Sequence, residues 1–170
     1  MSGPMNFGSL KEYFYRLYNT CLLRLLLVMG LFLLIYYLSL SGLISPYITQ
    51  EELIDFLRYT YLILIVVALT IVHLVTYKRL KAYAATVGLG DKLELYYNVV
   101  KLRMRTFVVI SAFTAAGLLF TGHEWFSIYF GGMLVWSMLQ WPTARKVCNQ
   151  LRLRGDERIM VISKGDAFKF

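Results

Sequence analysis

Four stretches of the chain are almost purely apolar, and charged residues separate them. The uncharged intervals are 26, 19, 18 and 20 residues long. A helix needs about 20 mostly apolar residues to cross a bilayer, with a usable range of about 17–25. The pattern therefore predicts four transmembrane helices, at about 25–44, 59–77, 106–121 and 125–141.

Helical periodicity also precedes the first apolar stretch. Ser9 and Glu12 have the spacing of a capping box, which satisfies free N–H groups at a helix start. Apolar side chains then recur on one helical face: Leu10, Tyr13, Phe14, Leu17, Tyr18 and Cys21. We expect an amphipathic helix over 9–21 that lies in the membrane interface and leads into the first span.

The sequence predicts that the connector 78–105 forms a helical hairpin. A helix is expected to begin at Thr49 and to run to Gly88, and a new one to begin with Asp91 as its cap. The descending arm carries an apolar stripe of Leu80, Tyr83, Ala84 and Val87. The returning arm carries Leu93, Tyr96, Tyr97, Val100 and Met104. Two such stripes joined by a glycine turn predict an antiparallel helix pair.

The segment 142–170 is expected to complete a cytosolic cap with this hairpin. Pro142 either kinks a continuing helix or opens a new one. A third apolar stripe follows, made of Ala144, Val147, Cys148 and Leu151. Gly155 is expected to end that helix, and the β-prone, apolar residues 158–163 to dock on the cap.

These elements predict an all-α integral membrane protein. We expect one domain over 1–170, a four-transmembrane-helix bundle with an N-terminal interfacial helix and a small cytosolic helical cap. Composition agrees, because 58% of the residues are apolar, 16% are charged, and the mean hydropathy is +0.58. Soluble domains carry about 25% charged residues.

Small residues in the later spans predict close helix packing. Ser111 and Ala115, like Ala112 and Ala116, are four residues apart, which lets helix backbones approach. Residues 131–132 form a glycine pair that is expected to receive a neighbouring helix.

The net charge of +8 is distributed unevenly. On the predicted topology, 17 of the 18 Lys and Arg residues fall on one side of the membrane, and the loops on the other side are acidic. Because cytosolic loops carry the excess of Lys and Arg, we expect both termini in the cytosol. The membrane would be the plasma membrane, or the inner membrane in a bacterium.

Residues for chemistry are scarce. Cys21 and Cys148 lack metal-ligand spacing, and His73 and His123 belong near opposite faces of the bilayer. Phosphate-binding loops, nucleophile elbows and zinc-protease motifs are missing from the sequence. We therefore predict no catalytic, cofactor-binding or metal-binding residues.

Two residue sets are candidates for binding. Polar side chains in the membrane near the cytosolic face are Thr70, His73, Thr76 and Gln140. They either contact a substrate or sense pH, or they hydrogen-bond between helices or to interfacial water. Basic residues expected to contact anionic headgroups are Lys78, Arg79, Lys81, Lys101, Arg103, Arg105, Arg145 and Lys146.

Arg152 and Arg154 add to this set of basic residues, and the set allows two interpretations. They orient the protein and attract lipid in general, or they form a specific site for a phospholipid, a nucleotide or an acidic partner. Nucleic acid is not an expected ligand, because no reading module accompanies the charge.

Three functions remain open on this evidence. The first is a non-enzymatic assembly subunit or adaptor, bound to a protein partner or to copies of itself. The second is a small oligomeric channel or transporter, with a path lined by Thr70, His73, Ser111, Thr114 and Gln140. The third is a lipid-modifying enzyme with its site around His73 and the arginines.

Overall fold

The computed structural model describes residues 9–84 and 88–164, and these residues form six helices and no strand. In chain order they are α1 (Leu10–Leu40), α2 (Glu51–Tyr83), α3 (Leu89–Thr121), α4 (Trp125–Leu139), α5 (Ala144–Gln150) and α6 (Gly155–Ile162). The predicted all-helical fold is confirmed. Val87, which the sequence placed in the hairpin stripe, lies outside the described residues.

Three helices are long and apolar enough to cross a membrane: α1, α2 and α3. At 1.5 Å per residue, the 33 residues of α2 and of α3 extend about 50 Å. The hydrocarbon core is about 30 Å thick, so each helix continues well beyond it. α4 is apolar but has only 15 residues.

The long helices run through the predicted junctions between flanking segment and span, and single boundaries differ from the predicted ones. The interfacial helix and the first span form one continuous α1, which ends at Leu40 before Gly42 (φ +69°). The returning arm and the third span likewise form one α3. This helix begins at Leu89, so Asp91 lies in its first turn and is not its cap. No proline or glycine interrupts either junction, and helix formation propagates cooperatively.

The chain divides into two compact units. The described part of the first unit comprises residues 9–22, 74–84, 88–103 and 141–164, and the second comprises 23–73 and 104–140. Helices α1, α2 and α3 each supply residues to both.

The core of the second unit is aromatic. The rings of Phe32 and Phe130 stack with centroids 3.9 Å apart, and Tyr61 meets Phe126 edge-on at 5.1 Å. Gly117 makes room for Phe126, because a methyl group there would overlap the ring. The glycine pair at residues 131–132 was expected to receive a neighbouring helix, but a Cβ added at either glycine would meet no atom within 4 Å.

One end of the second unit is fixed by polar contacts to the backbone and by a cation–π contact. The Arg58 guanidinium lies 3.6 Å from the centre of the Trp125 ring. The Phe120 carbonyl accepts hydrogen bonds from the Tyr47 and Ile48 N–H groups at 2.9 and 3.0 Å. These contacts join the start of α2 and its preceding loop to the α3–α4 turn.

The first unit buries the N-terminal stripe of α1. Tyr13, Phe14, Leu17 and Cys21 are at most 1% exposed. The Tyr13 hydroxyl donates to the Leu93 carbonyl at 2.9 Å, and Thr20 hydrogen-bonds Tyr97 at 3.1 Å. The stripe therefore packs against α3 instead of lying on a lipid surface. Its start is capped as expected, with the Glu12 N–H donating to Ser9 Oγ at 3.2 Å.

The C-terminal part of the first unit differs most from expectation. Pro142 neither kinks nor opens a helix, because Thr143 caps α5 by accepting from the Lys146 N–H. Gly155 begins α6 and does not end α5. Residues expected to be β-prone form α6, where the fully buried Val161 shows that tertiary packing decides the conformation.

Candidate functional site

The four polar residues predicted inside the membrane occupy different environments. Thr70 and His73 are exposed in the second unit, and Thr70 Oγ1 donates to the Val66 carbonyl one turn earlier. Gln140 is the half-buried C-cap of α4 in the same unit. Thr76 is fully buried in the first unit, where it accepts hydrogen bonds from Arg103.

The residues expected to line a channel are also unlike one another. Ser111 and Thr114 are fully buried, whereas Thr70 and His73 are exposed. Thr114 Oγ1 donates to the Ile110 carbonyl within its own helix. A path shared by these residues remains a prediction.

The basic residues expected at headgroups are mostly accessible. Lys78, Arg79, Lys81, Arg105 and Arg145 are exposed, and Lys101 and Lys146 are half-buried. Arg103 differs from them because only 3% of it is exposed. Its guanidinium is buried, and two of its nitrogen atoms donate hydrogen bonds to Thr76 Oγ1.

A basic pocket lies beside the α5–α6 junction. Its volume is about 410 Å³. It is lined by Cys148, Asn149, Arg152, Leu153, Arg154 and Arg158. The three arginines are exposed, and no carboxylate is among the lining residues. This arginine pocket concentrates positive charge in a concave surface, which suits an anionic ligand.

The turn after α5 places the first of these arginines. The Leu153 N–H donates to the Cys148 carbonyl at 2.9 Å, and the Arg152 N–H donates to Asn149 at 3.4 Å. This is the pairing of a Schellman motif, whose residue after the C-cap adopts a left-handed conformation and is usually glycine. Here that residue is Arg152, with φ of +53°. An arginine is thus held in a backbone conformation that L-residues disfavour.

Packing and one ion pair hold the rest of the pocket. Val147 of α5, its C-cap Leu151 and Val161 of α6 are fully buried. Lys92 Nζ of α3 lies 3.0 Å from Glu157 Oε2 of α6, and its side chain is only 13% exposed. This pair neutralises Glu157, so within the described residues 144–162 Asp156 is the remaining acid beside the three pocket arginines.

The buried thiol at the pocket wall is weakly acidic. Burial raises the pKa of Cys148, and nearby Arg158 partly opposes that increase. Because the thiolate is the nucleophile, a raised pKa lowers reactivity near neutral pH. Burial likewise lowers the pKa of Lys146, and the positive charge of Arg103 lowers it further.

The sequence pattern had placed Arg152 and Arg154 among general lipid contacts and had left Arg158 out. A close spacing of three arginines around a glycine was the available signal. The pocket itself depends on the turn at Arg152, which the sequence did not predict. Among the described residues, no group of three or more His, Cys, Asp or Glu side chains is placed to hold a metal ion.

Comparison of the chain with protein-family models, with curated proteins and with solved structures finds no match. Functional inference therefore rests on the site.

Proposed function

We propose that this chain is a four-span integral membrane protein with cytosolic termini that works by binding. In this proposal it is an assembly subunit or adaptor, and its arginine pocket holds an acidic segment of a protein partner. The observation that carries the proposal is the convergence of Arg152, Arg154 and Arg158 on one cavity whose described lining residues include no carboxylate.

The charge distribution supports a partner that brings its own acidic segment. The acids of the two predicted outer loops, Glu51, Glu52, Asp55 and Glu124, would lie across the membrane from the pocket, and the predicted cytosolic parts of the chain carry more basic than acidic residues. Electrostatic complementarity therefore favours a cytosolic acidic segment of another protein.

The test replaces the three pocket arginines with glutamine. We expect the triple variant R152Q/R154Q/R158Q to retain about tenfold less of a stoichiometric acidic partner in mild detergent, because about 1.4 kcal/mol of binding free energy corresponds to a factor of ten. The matched control is K78Q/R79Q/K81Q, which removes the same charge from exposed positions of α2. The readout is partner stoichiometry by native mass spectrometry.

Three results contradict the proposal. The first is a wild-type chain that purifies without a protein partner under all mild detergents. The second is an equal loss of partner in both triple variants, which would show that only overall charge matters. The third is a phospholipid bound in the pocket instead of a protein.

A further inference from the structure

A second polar cluster lies inside the first unit, apart from the arginine pocket. Arg103 of α3 is buried, and its Nε and Nη2 atoms both donate to Thr76 Oγ1 at 3.1 Å. One neutral hydroxyl oxygen thus serves two of the five N–H groups of the guanidinium. The Nη1 atom is buried and has no hydrogen-bond partner among the described residues.

Tyr96 places a second unsatisfied group nearby. It precedes Arg103 by seven residues, which is two turns on the same face of α3. Tyr96 is fully buried, and its hydroxyl also has no hydrogen-bond partner within the described chain. The two side chains are close enough to interact electrostatically.

Lys146 of α5 adds a second positive charge, close enough to Arg103 to interact with it. Lys146 is half-buried, so the cluster reaches the surface beside this residue. In the described ranges, Arg103 forms no ion pair with a carboxylate. A buried guanidinium without a counter-charge is strongly unfavourable, and buried donors are nearly always satisfied.

A phosphate group matches the two unsatisfied donors, Arg103 Nη1 and the Tyr96 hydroxyl, beside the positive charge of Lys146. We propose that Arg103 Nη1, the Tyr96 hydroxyl and the Lys146 ammonium together bind one phosphate group, which supplies the missing negative charge. Phosphate oxygens accept several charge-assisted hydrogen bonds at once. Arg103 also lies three residues before the predicted third span, at the depth of phospholipid phosphates. The group therefore belongs either to a phospholipid or to a soluble phosphate compound.

The decisive variant is Tyr96→Phe, which removes one hydroxyl and leaves the ring. Without ligand, loss of an unsatisfied buried hydroxyl is neutral or stabilising, so the melting temperature should stay the same or rise. When inorganic phosphate is added to delipidated protein in detergent, we expect Tyr96→Phe to bind it about tenfold more weakly than the wild type does. Lys146→Gln should weaken phosphate binding similarly, and Arg16→Gln, which removes one exposed positive charge from the same unit, should not.

Native mass spectrometry distinguishes the two sources. One phospholipid per wild-type chain, lost in Tyr96→Phe, assigns the site to a lipid headgroup. Phosphate binding without retained lipid assigns it to a soluble compound. These results do not depend on the arginine pocket.

Three outcomes overturn the proposal. The first is wild-type protein that binds neither phosphate nor phospholipid. The second is phosphate affinity that is equal in wild type, Tyr96→Phe and Lys146→Gln. The third concerns Asp166, the one side-chain carboxylate outside the described residues. Phosphate binding that appears only in Asp166→Asn would identify an internal counter-ion in place of a ligand.

Discussion

At the scale of single residues, the unusual backbone of Arg152 links stability to binding. Glycine adopts its left-handed conformation without steric penalty. We expect Arg152→Gly to stabilise the protein by up to about 1 kcal/mol and to weaken retention of an acidic partner. Thermal unfolding in detergent and partner stoichiometry measure the two effects.

The control for this prediction is Arg154→Gly. Arg154 also lines the pocket, but its backbone is extended, with φ of −132°. Arg154→Gly should weaken binding of the acidic partner without raising the stability measured by thermal unfolding. Equal changes in stability for both variants would mean that Arg152 is not strained.

A second prediction at this scale concerns Gly117. Phe126 is fully buried, so its ring cannot move away from a methyl group at Gly117. We expect Gly117→Ala to destabilise the second unit by about 1–3 kcal/mol, the usual cost of overpacking.

Gly131→Ala is the matched control, because the added Cβ has open space. It also replaces a helical glycine with a better helix former, so its stability should not fall. The free energy of unfolding measured in detergent decides between them, and an equal loss in both variants would contradict the packing around Gly117.

Sequence reasoning succeeded for these residues only where the information was local. The sequence indicated that small residues in the third span are packing sites. The packing role of Gly117, however, depends on the position of Phe126 on the next helix. Arg103 was expected at headgroups because charge usually lies outside the core. Its burial depends on Thr76, which is 27 residues earlier and on another helix. Neither contact has a signature in the sequence around the residue itself.

At the scale of elements, α6 has only eight residues and relies on its neighbours. Isolated helices of that length are unstable in water, so packing and the Lys92–Glu157 pair must hold it. The pair is partly buried and joins α6 to α3.

We expect Lys92→Met to increase amide hydrogen exchange in α6 and to lower stability by about 1 kcal/mol or less, as for partly exposed ion pairs. Glu157→Gln should behave in the same way, and the double variant should lose no more than either single one. Strictly additive losses would show that the pair does not couple the helices.

Element boundaries show the same limit of sequence reasoning. The apolar intervals predicted the long helices because a single apolar segment in a membrane satisfies its own backbone hydrogen bonds only as a helix. The returning arm continues into the third span as one helix, as predicted, because the charges of Arg103 and Arg105 do not break a helix. The helical residues 158–162 have β propensity, which packing of Val161 overrides.

At the scale of the whole molecule, the predicted orientation has a direct test. Cys21 and Cys148 are both buried, so the wild-type chain should not react with an impermeant maleimide. Labelling of a single introduced cysteine can therefore be detected without a signal from the native cysteines. We expect Glu52→Cys to be labelled in intact cells, and Lys81→Cys only after permeabilisation.

Both introduced cysteines replace exposed residues at opposite ends of α2. Reversed labelling would overturn the orientation, and labelling of both in intact cells would show that α2 does not span the membrane.

The first unit is built from the beginning, the middle and the end of the chain. During synthesis, Tyr13 and Phe14 leave the ribosome long before Leu151 and Val161, which complete the same unit. Until then aromatic surface stays open to chaperones and proteases. The packing of the first unit therefore cannot be completed before α5 and α6 have been synthesised.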